Sequence, residues 1–79
     1  MSDKTDSDRI EEIYKLCNGH FGDVRFVGVK LHGQIGWIAK VQFNTEEINN
    51  LTADGESSSD ALRNLRNRIK KIIKRYNRV

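Results

Sequence analysis

Cys17, His20 and Asp23 are the residues of this chain whose types and spacing come nearest to a reactive constellation, with two residues between successive members. Such a cluster could offer ligands to a metal ion. A structural zinc site takes four ligands, usually as two Cys or His pairs, and the sequence has no second pair, so no metal is expected. Nucleophilic catalysis needs a base within hydrogen-bond reach of the nucleophile, usually oriented by a third group. The two histidines serve poorly: His20 follows a helix and His32 falls in a turn. No catalytic residue is assigned, and the reading is that the protein is not an enzyme. Gly33 and Gly36 lie within a hairpin and open no helix, so they are not a phosphate loop. No cofactor is expected. Trp37 belongs to the inward face of a strand, whereas stacking on a nucleobase would require an outward ring.

The chemistry that remains is electrostatic. Residues 1–60 carry six basic and eleven acidic side chains, whereas residues 61–79 carry eight basic side chains and no acid. Leu62, Leu65, Ile69, Ile72, Tyr76 and Val79 step by three and four, so at ~100° per residue they form one apolar stripe along a last helix. Arg63, Asn67, Lys70, Lys74 and Arg78 run down the opposite arc, with Asn64, Lys71 and Arg75 beside them. Arginine and lysine interleaved with asparagine suit phosphate contacts and neutral hydrogen bonds. Arg63, Arg66, Lys70, Lys71, Lys74, Arg75 and Arg78 are therefore the candidate nucleic-acid contacts. The same arc could meet an acidic protein surface. It could also be a solvated face, with Glu11, Glu12, Glu46 and Glu47 as the acids available to neutralise it.

Several elements must position that helix. Residues 1–7 are polar and read as a disordered tail, leaving 8–79 as a single domain. A first helix spans about 8–18, capped by Ser7 or Asp8 and ended by Asn18-Gly19, with Ile10, Ile13, Tyr14 and Cys17 as its apolar stripe. Residues 24–31 and 35–43 read as two strands joined by His32-Gly33-Gln34. Ile35, Trp37, Ala39, Val41 and Phe43 alternate onto one face of the second. Matching apolar faces favours a three-residue loop that pairs Leu31 with Ile35, Val29 with Trp37 and Val27 with Ala39. Val24, Phe26 and Ile38 are then left on the other face. Scattered exposed hydrophobes are ordinary, but these three are also a candidate protein interface centred on Phe26. Residues 48–53 form a weaker edge strand closed by Asp54-Gly55, and Ser57 with Asp60 has capping-box spacing for the last helix. The expected fold class is α+β in the order α-β-β-β-α, a three-stranded antiparallel sheet with both helices on one face.

Composition excludes several alternatives. No apolar run approaches the ~20 residues of a membrane span, so no membrane partner is expected. No charged start leads into an apolar stretch, as a secretory signal would. The one cysteine cannot form an internal disulfide, which fits a cytoplasmic protein in a reducing compartment. Composition leaves monomer and homodimer both open.

Two partial resemblances follow from this order. The α-β-β-β-α arrangement resembles the double-stranded RNA-binding domain, whose last helix begins with a lysine-rich phosphate clamp after a glycine and a serine. Gly55 and Ser57 stand near those places, Ser58, Ser59 and Asp60 stand at the lysines, and the basic residues start at Arg63. The run Gly55-Glu56-Ser57-Ser58-Ser59-Asp60-Ala61-Leu62 resembles the strand-to-helix junction of HicB-type antitoxins. The first resemblance implies an RNA-binding domain, and the second a small regulator that binds another protein.

Overall fold

The computed structural model describes residues 5–44 and 50–76. Its order is α1 (Asp6–His20), β1 (Val24–His32), β2 (Gly36–Phe43), β3 (Leu51–Gly55) and α2 (Ser58–Tyr76). The strands form one antiparallel sheet in the order β1-β2-β3. Ile13 and Cys17 of α1, Ala39, Val41 and Phe43 of β2, and Ala61, Leu62, Leu65, Ile69 and Ile73 of α2 close one core. Both helices thus pack on the same face of the sheet, and the fold is the α+β class expected.

α1 begins earlier than its apolar stripe indicates. Thr5 is the N-cap: its hydroxyl accepts from the Asp8 amide and the Asp8 carboxylate accepts from the Thr5 amide, a closed capping box. Residues 5–7 are therefore not part of a disordered tail, while residues 1–4 lie outside the described residues. Asp6, in the first turn, accepts hydrogen bonds from the hydroxyls of Ser58 and Ser59, the latter at 3.0 Å. One carboxylate so ties the start of α1 to the start of α2. Hydrogen bonds to an ionised group contribute about 1.5–3 kcal/mol each when well shielded. Asp6→Ala is expected to lower unfolding free energy by about 1–3 kcal/mol, read as a shifted urea midpoint with an unchanged slope. An unchanged midpoint would show that the tether contributes nothing. At the other end α1 runs past Asn18-Gly19 to His20, and Phe21 then packs edge-on against Phe43 with centroids 5.7 Å apart. Tyr14, expected in the stripe, is 45% exposed because only Ile13 and Cys17 point fully inward.

The hairpin keeps the expected faces but shifts its pairing by two residues. Leu31 pairs with Trp37, Val29 with Ala39 and Val27 with Val41. Gly36 has φ +105°, so the three-residue loop 33–35 is placed where a glycine can take the positive φ that closes it. Ile35 consequently lies in the turn, 53% exposed, not on the inward face. Leu31 shares the face of Val29 yet is 65% exposed. β3 ends at Gly55 opposite Trp37, so the hairpin end projects beyond the third strand. Trp37 itself packs against the core and is half-buried.

A second irregularity corrects the outer face. The register slips between Val24 and Phe26, leaving Arg25 as an extra residue. One inserted residue reverses the alternation. Val24 is thereby turned inward and buried with the core, so it cannot belong to an outer interface. β3 was expected over 48–53 but runs through Asp54 to Gly55; residues 45–49 lie outside the described residues. Strand then meets helix tightly: a Cβ on Gly55 would stand 2.5 Å from the Ala61 amide nitrogen.

Candidate nucleic-acid interface

α2 owes its straight run to residues that form helices well, and to an N-cap made by Ser57. The Ser57 hydroxyl accepts from the Asp60 amide at 3.1 Å, and its carbonyl accepts from the Ala61 amide at 2.9 Å. Ala61, Leu62, Leu65, Ile69 and Ile73 are the buried residues of the helix. The inward line continues from Ile69 through Ile73, while Ile72, expected in the stripe, is only half-buried. Steps of four keep 65, 69 and 73 on one line of a straight helix. The side chain of Tyr76, together with Val79 and Arg78, lies outside the described residues.

This orientation sorts the basic residues into two groups. Those at the flanks are used internally. Arg66 Nε lies 3.0 Å from Glu12 Oε1 on α1, an ion pair without hydrogen-bond alignment in which both side chains are about one-third exposed. Arg68 donates to the Thr52 carbonyl at 2.9 Å, and Asn64 donates to the Asp54 carbonyl at 2.8 Å. Those two contacts cover carbonyls along the free edge of β3, an edge that would otherwise invite another strand. Arg63, nearer the middle of the arc, pairs with Asp60 at 2.8 Å across the first turn.

The second group is Lys70, Lys71, Lys74 and Arg75, all exposed. Among the described residues none of these four pairs with an acid. Lys70 and Lys74 form one i,i+4 row, and Lys71 and Arg75 a second row ~100° around the helix, with ~6 Å of rise along each. Asn67 stands exposed one turn earlier between them. Of the acids that could have neutralised the helix, Glu12 takes Arg66 and Glu11 takes Lys15 at 3.1 Å. Glu46 and Glu47 lie outside the described residues. The free positive charge is thus concentrated in the C-terminal half of α2, where the helix dipole also favours cations.

The other residues singled out from the sequence are not brought together. Cys17 is fully buried, and His20 is the exposed last residue of α1. His32 ends β1, where its Nδ1 accepts from the Gln34 amide at 3.4 Å. Among the described residues no three His, Cys, Asp or Glu side chains converge as a metal site would need, and no helix is long and apolar enough to cross a membrane. Burial pushes the Cys17 thiol up to about 11 from its ordinary 9.0. A thiol-specific reagent at neutral pH is therefore expected to leave Cys17 unmodified until the protein unfolds. The unfolded thiol ionises first, so stability is expected to fall as pH rises between 9.0 and about 11. Rapid labelling of the folded protein would contradict both expectations.

Of the candidate protein interface only Phe26 and Ile38 remain on the outer face. Phe26 is 50% exposed; Ile38 is half-buried. Neither the bulge that withdraws Val24 nor the structural use of Arg66 and Arg68 carries a signal in residue spacing.

No family model matches the chain, and no curated protein or solved structure matches it. The likenesses to the double-stranded RNA-binding domain and to HicB-type antitoxins rest on element order and junction residues alone.

Proposed function

We propose that this α+β protein is a non-enzymatic domain that binds nucleic acid through the exposed arc of α2. The observation that carries the reading is the division of labour among its cations. Arg66 and Arg68 are tied to α1 and β3, whereas Lys70, Lys71, Lys74 and Arg75 are exposed and unpaired with acids among the described residues. Solubility alone does not require four cations in two rows. Phosphates spaced along a strand would neutralise them, with Asn67 supplying a neutral hydrogen bond. Arg63 extends the arc at its start in this reading, and Arg66 contributes charge from its flank; Arg78, a candidate from the sequence, lies outside the described residues. The single buried cysteine suits a cytoplasmic setting.

The experiment is a titration with labelled single-stranded and duplex RNA and DNA at ~50 mM salt, where phosphate contacts bind strongly. Binding to all of them with modest preference is expected. Absence of binding to any would overturn the reading. It would favour a second one, a small regulator that docks on an acidic protein surface. Two large aliphatics exposed near the hairpin end, Leu31 and Ile35, favour that alternative.

A further inference from the structure

The face of the sheet opposite the helices carries one aromatic residue, Phe26, half of whose surface is exposed. A Cβ built on Gly28 would stand 2.5 Å from Phe26 Cζ and 3.0 and 3.3 Å from its two Cε atoms. The ring therefore lies over Gly28, in the space that any other residue at 28 would fill. The tip of the ring reaches over Gly28, and half of the residue's surface is left to solvent.

Its neighbours are defined by the register. Gly28 pairs with Lys40, and Lys30 pairs with Ile38. Together with Val29 these residues line a shallow depression of about 200 Å³. That is below the ~300–1,000 Å³ of sites that enclose a drug-sized ligand, so it has room for a single small ring system. Two ammonium groups border it. Among the described strand residues of this face the acid is Asp54, which pairs with Ile38 from β3, on the side away from Phe26.

We propose that this depression stacks one unpaired nucleobase of a single strand on Phe26, with Lys30 and Lys40 on the flanking phosphates. Base stacking on an aromatic face with cations tracking the backbone is the way sequence-tolerant single-strand sites work. A duplex offers no free base face, so the site discriminates strandedness, which the phosphate contacts of α2 do not. A protein partner fits less well, because lysine is depleted from the buried centres of protein interfaces and here two lysines line the depression beside Phe26, the one aromatic ring among the described residues of this face. The proposal does not rest on α2: ring, glycine and lysines all lie on the opposite side of the sheet.

The test uses a labelled oligodeoxythymidine strand, an abasic strand of equal length and a duplex. Phe26→Leu keeps an apolar side chain and loses the ring face; Phe26→Tyr keeps the face. Phe26→Leu is expected to weaken oligodeoxythymidine binding roughly tenfold, and Phe26→Tyr to leave it unchanged. Gly28→Ala should weaken it too, because the new methyl group displaces the ring. Abasic-strand and duplex affinities should not respond to Phe26→Leu. Neither Phe26 nor Gly28 belongs to the buried core, so melting temperatures should stay close to the parent's and separate a lost site from a lost fold. Equal affinity of the parent and Phe26→Leu for oligodeoxythymidine would overturn the proposal. So would an equal loss on the abasic strand, or a parent that does not bind oligodeoxythymidine at all. If Phe26→Leu weakens binding while charge reversal on α2 does not, the reading of the helix falls and this one stands.

Discussion

Reversing Lys70 and Lys74 to glutamate in one protein is expected to lower affinity for duplex and single strand alike by roughly 100-fold. Each lysine lost removes a charge-assisted contact of about 1.5–3 kcal/mol at best, and each glutamate adds repulsion from the phosphates. The pair is chosen because both residues are exposed, without an acid partner among the described residues and on one row of the helix. Neither touches the core, so the fold should survive with a change within about 0.5 kcal/mol, as surface substitutions usually give. Arg68→Ala is the informative contrast. It removes a cation of the same helix, but one that donates to the Thr52 carbonyl. It is expected to reduce stability and leave affinity within about twofold, a difference of ~0.4 kcal/mol. Equal losses of affinity from both substitutions would mean that total charge matters and the arc does not.

Leu65→Ala should cost about 2–5 kcal/mol of stability, the range for removing a buried leucine side chain and leaving a cavity. Leu65 is fully buried, in the middle of the helix that closes the sheet. Small domains bury little and have modest reserves, so a loss of this size consumes much of the total. For a domain of this length the melting temperature should fall by roughly 8–40 °C. A paired comparison tests the orientation of the helix: Ile73 is 9% exposed and should lose more on truncation to alanine than half-buried Ile72. The reverse order would rotate the exposed arc away from Lys70 and Lys74.

Periodicity made the α-β-β-β-α order legible, because the three-four steps of the last helix and the alternation of Trp37, Ala39, Val41 and Phe43 each admit one element type. It did not locate the features that break a period. The extra residue at Arg25 moved Val24 from the outer face into the core, and the positive φ at Gly36 moved the loop one residue along, to 33–35, which shifts the pairing by two from the register that best matched apolar pairs. The early start of α1 was hidden because its signal is polar: Thr5, Asp6 and Asp8 form caps and a tether, not a stripe. The candidate site was legible as a basic helix. Which of its cations are free depends on side chains of other elements, Glu12 and the β3 carbonyls, and helix spacing contains no information about those.

The salt dependence of duplex binding tests the phosphate-holding arc most directly. Four phosphate contacts from Lys70, Lys71, Lys74 and Arg75 predict that log K falls against log salt with a slope of roughly −3 to −4. The double charge reversal should flatten that slope by about two units. A slope near zero, or the same slope in both proteins, would show that this arc does not hold phosphates.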